Sequence, residues 1–201
     1  ASRRSSTPSP CTPPPVVEEI RLSQEDKDVL RRLAQNVADI AALPIHAEKA
    51  GLWRRLNDLD SVRPMVWINE ICWNEMNVDD ELTLRCEHPW AQDQERELRK
   101  LVYQWSHLPA DMILSDFLTC PLAIHSTSFG IVEDVDVVKM DETSDIMSRH
   151  FNIQIKELDD IEKIKMPVVT HNEKATEVRY QAMCEVDRKS TRLNSSHTIQ
   201  S

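Results

Sequence analysis

The stretch that can build a core is 171 residues, Val16 to Val186, because neither end of the chain has apolar patterning. From Asp187 to His197 the only apolar residue is Leu193, so this segment has nothing to bury. The run Asp187-Arg188-Lys189-Ser190-Thr191-Arg192-Leu193-Asn194-Ser195-Ser196-His197 reads as the in-frame translation of a sequencing adapter. Residues 187–201 are therefore expected to be an artefact, with the natural chain continuing differently after about Val186. At the other end, residues 1–15 are rich in Ser, Thr and Pro. Five of the eleven prolines fall there, with Arg3 and Arg4 as the only charges. That composition favours extended, solvated backbone, and no apolar run follows the arginines as a secretory signal requires.

The body can hold one domain or a large part of one. The whole chain carries 24 basic and 34 acidic residues. The two ends hold five of the bases and one of the acids, leaving 19 against 33 in the body, a balance of −14. Such a surface disfavours nucleic acid and anionic membranes as partners. No apolar run approaches the roughly eighteen residues of a membrane span. Five cysteines at wide spacing, with no Cys-x-x-Cys, argue against a disulfide framework and for a reducing cytoplasm. The only glycines are Gly51 and Gly130, which excludes Gly-rich phosphate loops of both common kinds within these residues.

Apolar periodicity then orders the body. Ser23 and Asp26 resemble a capping box, and Val29, Leu30, Leu33, Val37 and Ile40 continue at helical spacing. A helix is expected over 24–42, stopped by Pro44, and a second over 45–57 burying Leu52, Trp53 and Leu56. Pro64-Met65-Val66-Trp67-Ile68 has the length and composition of a strand buried on both faces. Pro89 suits the first turn of a third helix with Trp90, Leu98, Leu101, Val102 and Trp105 inward. Its acids, Asp93, Glu95 and Glu97, come early and Arg99, Lys100 and His107 late, as the helix dipole prefers. Residues 112–118 form the second strand candidate. A strand pair is expected over 131–140 and 150–155, flanking Asp141-Glu142-Thr143-Ser144, with a short helix over 157–164 and a last one over 173–185. Helix, strand, helix, strand indicates an α/β architecture with parallel strands.

Several residues carry potential chemistry. Cys86 and His88 have the ligand types of a zinc site but lack a second pair nearby, so a loop entering the third helix is the alternative. Cys120 and His125 could form a nucleophile pair, or be a buried cysteine and a loop histidine. The five tryptophans fall mostly on apolar positions and read as core. Asp116 stands out, because a carboxylate inside an apolar strand is costly unless paired or functional. Asn69 and Glu70 follow the first strand and Thr119 the second, where α/β sheets gather their active sites.

At this point a resemblance enters. Arg63-Pro64-Met65-Val66-Trp67-Ile68 resembles the opening barrel strand of the uroporphyrinogen decarboxylase superfamily, which is related to cobalamin-independent methionine synthase. Ile113-Leu114-Ser115-Asp116-Phe117-Leu118 with Pro121 is similar to its second-strand motif, and Glu157 to Ile164 with Pro167 to its next connection. The likeness spans roughly residues 52–186. It is nearest to the divergent anaerobe branch, whose members are decarboxylase-like or methyltransferase-like.

The resemblance implies the first half of a (β/α)8 barrel, incomplete because a whole one needs ~250 residues. With the composition and periodicity, this divides the chain into a disordered start (1–15), a helical extension (16–61), a partial barrel (62–186) and the tail (187–201). Asp116 matches the family's catalytic aspartate, with Asn69, Glu70, Thr119 and His125 as candidate substrate contacts. In the decarboxylases the first strand leads into Arg-Gln-Ala-Gly-Arg, whose arginines bind substrate carboxylates; here the same place reads Asn69-Glu70-Ile71-Cys72-Trp73. Glu70 would repel an acidic tetrapyrrole. By elimination this favours methyl transfer between a corrinoid, free or carried on a protein, and a thiol. No cofactor and no metal ligand is expected within these residues. Zinc and a corrinoid partner belong to the complete protein, whose His-x-Cys and later Cys would lie further on. The fragment itself is expected to be inactive. The alternatives are a metal-free lyase acting on a tetrapyrrole and a non-catalytic barrel that binds a partner.

Overall fold

The computed structural model describes residues 19–131, 133–139, 147–186 and 191–192. The Pro-rich start, the Asp141-Glu142-Thr143-Ser144 turn and the tail apart from Thr191 and Arg192 lie outside the described residues. The architecture is a mixed α/β one. Helices α1 (Gln24–Ala41), α2 (Ile45–Asn57) and α3 (Pro89–His107) come first. Strands β1 (Leu118–Thr119), β2 (Ile124–Ser126), β3 (Val135–Lys139), β4 (Met147–Phe151) and β5 (Val169–His171) follow, then α4 (Glu173–Val186) and β6 (Thr191–Arg192).

The core lies between α1, α3 and α4. Ser23 caps α1, its Oγ accepting from the Asp26 amide at 3.0 Å. One turn on begins the buried row Leu30, Ala34 and Val37, which meets Cys86, Ala91, Leu98 and Val186. Arg31 reaches across to the end of α4, donating to the carbonyls of Val186 (3.0 Å) and Glu185 (2.9 Å). A guanidinium there satisfies carbonyls the helix leaves open and complements its dipole.

Two buried carboxylates fasten the loop before α3 to this core. Asp26 accepts from the Glu87 amide at 2.8 Å, and Glu95 from the amides of Arg85 and Cys86, both at 2.8 Å. Burial pushes both carboxyls up, but these bonds outweigh it, so Asp26 and Glu95 are held below the ordinary carboxylate range. Glu95 is thus a core residue, not an ornament of the helix dipole, and the first turn of α3 holds no acid.

The inward face of α2 departs from expectation. His46 and Lys49 are its buried residues, while Leu52, Trp53 and Leu56 are only half-buried. Lys49 donates to the Ala110 carbonyl at 2.8 Å and lies 5.0 Å from the Trp105 ring centroid. Its stem packs while its head finds a carbonyl, which makes the burial tolerable.

The expected first strand is absent. Residues 64–68 run without a sheet partner, and Val66 and Trp67 are about half exposed (52% and 50%), not buried on both faces. The reason is local. The Val66 amide donates to Asp111 Oδ2 (2.8 Å), and the Val66 carbonyl accepts from the Asp111 amide (3.0 Å). Gln104 takes the Ile68 carbonyl at 2.9 Å. Both backbone groups of Val66 and the Ile68 carbonyl are thus taken by Asp111 and Gln104, not by a neighbouring strand. The second expected strand shrinks to Leu118–Thr119, preceded by the unpaired residues 112–115.

Among the described residues, parallel pairing is confined to β1 with β6; β2 with β5 and β3 with β4 are antiparallel. No closed barrel is formed among the described residues. Backbone pairing does not read side chains, so the β1–β6 contact is silent on the origin of the tail. The pair expected over 131–140 and 150–155 is found as Val135–Lys139 against Met147–Phe151, and the short helix before Pro167 is a 3-10 turn over Leu158–Lys163. Between β2 and β5 the chain makes an excursion with no buried side chain among its described residues. Its neck closes at Gly130 (φ 79°), where a Cβ would lie 2.8 Å from the Lys163 carbonyl oxygen. Among the described residues no helix is long and apolar enough to cross a membrane.

Candidate functional site

The segment carrying Asp116 emerges from a clamped turn. Leu108 ends α3, Pro109 follows, and Ala110 takes a left-handed φ of 36°. Arg63 grips the Asp111 carboxylate with two nitrogens, at 2.9 and 2.6 Å, and Trp53 Nε1 donates to the Asp111 carbonyl at 2.9 Å. The Leu114 amide donates to His46 Nδ1 at 3.3 Å, while His46 Nε2 lies 3.0 Å from the Ile40 carbonyl. Met112 and Leu114 are buried. The backbone is therefore fixed on its way out to Ser115 and Asp116.

Arg63 and Asp111 predict a pH signature. The Arg63 hydrogen bond, then the Val66 amide, hold the Asp111 carboxyl far below its ordinary value near 3.8. A depressed carboxylate stabilises the fold fully above that ordinary value, and the contribution drains as pH falls below it toward the folded pKa. Asp111→Asn should flatten the acid limb of a plot of thermal midpoint against pH relative to wild type. Superimposable acid limbs would mean that the pair contributes nothing.

Asp116 is exposed, at the bend where the extended segment turns into β1. It carries no hydrogen bond or ion pair with any described residue, so neither burial cost nor a described structural partner accounts for it. With Ser115, Phe117, Ala34, Val37 and Ala38 it lines a crevice of about 10 Å³, room for about one water. A free carboxylate on a rigid mount can hold a proton acceptor or a stabilising charge against a cationic centre.

The other candidates are spread out. Asn69 accepts from Trp67 Nε1 through its Oδ1, and Glu70 is exposed. Thr119 is exposed in β1, and His125 is exposed in β2 opposite Thr170. Among the described residues no hydrogen bond or ion pair joins any two of Asn69, Glu70, Asp116, Thr119 and His125.

The cysteine–histidine pairs separate as well. Cys86 is buried with its thiol pushed up to about 12 by burial and then by Glu95, while the His88 ring accepts from the Trp90 amide at 3.1 Å and caps α3. Burial likewise pushes up the Cys120 thiol, whose sulfur lies 4.0 Å from the Pro121 carbonyl and makes no bond to His125. Neither thiol is poised as a thiolate. Among the described residues no group of three or more His, Cys, Asp and Glu converges as a metal site.

No protein-family model, curated protein or solved structure matches the chain. The functional reading therefore rests on the motifs and on this geometry. Sequence reading passed over the Arg63–Asp111 pair and the Lys49–Trp105 contact. Their partners are 48 and 56 residues apart, and nothing local signals such pairings.

Proposed function

We propose that this chain carries the front of a uroporphyrinogen decarboxylase-like barrel enzyme that moves a methyl group between a corrinoid and a thiol. The observation that carries the reading is the Asp116 carboxylate: exposed, without a partner among the described residues, and mounted on a clamped segment within the motif that resembles the family's second strand. The choice of reaction is supported by charge. A polycarboxylate tetrapyrrole needs cations near residues 69–73, but that stretch holds Glu70, and the nearest preceding cation, Arg63, is already taken by Asp111. An acidic substrate would have to break that pair.

The residues described do not fit zinc, since both buried thiols are pushed up and His88 is engaged as a cap. No step through a metal is derived from them. In this proposal zinc and its ligands, and the corrinoid partner, belong to the complete protein.

A long read through the gene in its source DNA tests the reading. The expected result is a continuation after about Val186 that departs from Asp187-Arg188-Lys189 and carries His-x-Cys with a later Cys. An identical tail followed by a stop codon contradicts it. A different continuation without those residues favours the metal-free lyase or the non-catalytic barrel instead.

A further inference from the structure

A cavity of about 250 Å³ opens between the 73–84 loop and the outer face of α3, away from Asp116. Its apolar wall is Trp73, Leu82 and Leu84. Arg96 and Lys100, one turn apart on α3, face it from the other side, with Asn74 and Asn77 at the rim. In a chain with 34 acids against 24 bases, the described residues of this lining include two cations and no carboxylate.

The wall is built. Asn77 Oδ1 accepts from the Leu82 amide and its Nδ2 donates to Thr83 Oγ1, both at 3.0 Å. Thr83 donates to Asp80 at 3.0 Å, and Arg99 Nη1 ties the Glu81 carbonyl to α3 at 2.8 Å. Trp73 stands edge-on to Tyr103 (6.2 Å, 74°), with Lys100 Nζ 5.5 Å from its centroid. Three of the nearby acids have basic partners. Glu81 meets His107 at 3.0 Å, and Asp93 and Glu97 pair with Arg96 (2.6 Å) and Lys100 (3.3 Å). Those last two acids are each 69% exposed, and i,i+3 pairs so open to water are weak enough to exchange for a ligand carboxylate.

We propose that this cavity binds a small aryl carboxylate. The ring lies against Trp73, Leu82 and Leu84, and the carboxylate meets the Arg96 fork with the Lys100 charge beside it. The apolar wall gives the ring its contact area, and the paired cations set the charge of the ligand. This site is independent of the methyl-transfer reading and of Asp116.

The test is a titration of the full chain with sodium benzoate, read calorimetrically and by the shift of the Trp73 indole N–H resonance. Benzamide and sodium acetate serve as controls lacking the charge and the ring. Benzoate should bind, with both controls at least about tenfold weaker. Arg96→Ala should weaken benzoate about tenfold while leaving the thermal midpoint unchanged, because Arg96 is a half-exposed surface residue. Lys100→Met, which keeps the apolar stem, should weaken it in the same direction. Benzamide binding as tightly as benzoate, an unchanged affinity in Arg96→Ala, or no benzoate binding up to about 10 mM would overturn the proposal.

Discussion

Glu95→Ala should lower the unfolding free energy of this chain by roughly 3–5 kcal/mol, the usual cost of stranding one half of a buried ion pair. Glu95 is fully buried, and three donors converge on it: the Arg85 and Cys86 amides and Arg99 Nε, all at 2.8 Å. Removing the carboxylate leaves two amides without an acceptor and the 11%-exposed Arg99 side chain without its counter-charge. Because whole domains have only about 5–15 kcal/mol of stability, this single change should bring the chain near its unfolding threshold. The sign with pH follows from the depressed carboxyl. Its contribution is complete above the ordinary glutamate value of 4.5 and is lost as pH falls through the lower folded value. Urea denaturation at neutral pH decides the matter. A loss below about 1 kcal/mol would mean that the loop 85–87 is not anchored by this residue. The double change Glu95→Leu with Arg99→Met should be milder than Glu95→Ala alone, because no charge is then left stranded.

Asp116→Asn should do the opposite. The carboxylate is exposed and bonds to nothing described, so the fold should lose no more than about 0.5 kcal/mol. In the complete gene product, turnover should drop at least about a hundredfold, the scale of removing one charge-stabilising group from a reacting centre. Denaturation and activity must be read on the same preparation. A large loss of stability with activity retained per folded molecule would make Asp116 structural, and the methyl-transfer reading would lose its anchoring residue.

The helices were legible because their signals are local. Ser23 and Asp26 mark the start of α1, Pro89 the start of α3, and apolar spacing carries both helices through. The same rows carry a second local signal. Asp26 precedes Leu30 and Ala34 by whole turns, and Glu95 sits between Ala91 and Leu98. An acid on the apolar face of a helix is either an error in the assigned face or a buried anchor, and both of these are anchors. Strands were harder. The run 64–68 has strand composition, yet its hydrogen bonds go to Asp111 and Gln104, a choice made by residues some forty positions away. Of the candidate site, the sequence singled out Asp116 but could not foretell its exposure, since that depends on a turn clamped by Arg63, Lys49, Trp53 and His46 from other elements.

The most direct measurement is thiol-dependent demethylation of methylcobalamin by the complete gene product, followed by loss of the methyl-corrinoid absorbance and appearance of the thioether. In that reaction the thiol would lose its proton to solvent, its sulfur would bond the methyl carbon, and the carbon–cobalt bond would break with its electron pair left on cobalt. The proposal predicts turnover that requires both substrates and is abolished by Asp116→Asn. No demethylation with any thiol, in a protein that is folded and complete, would contradict it.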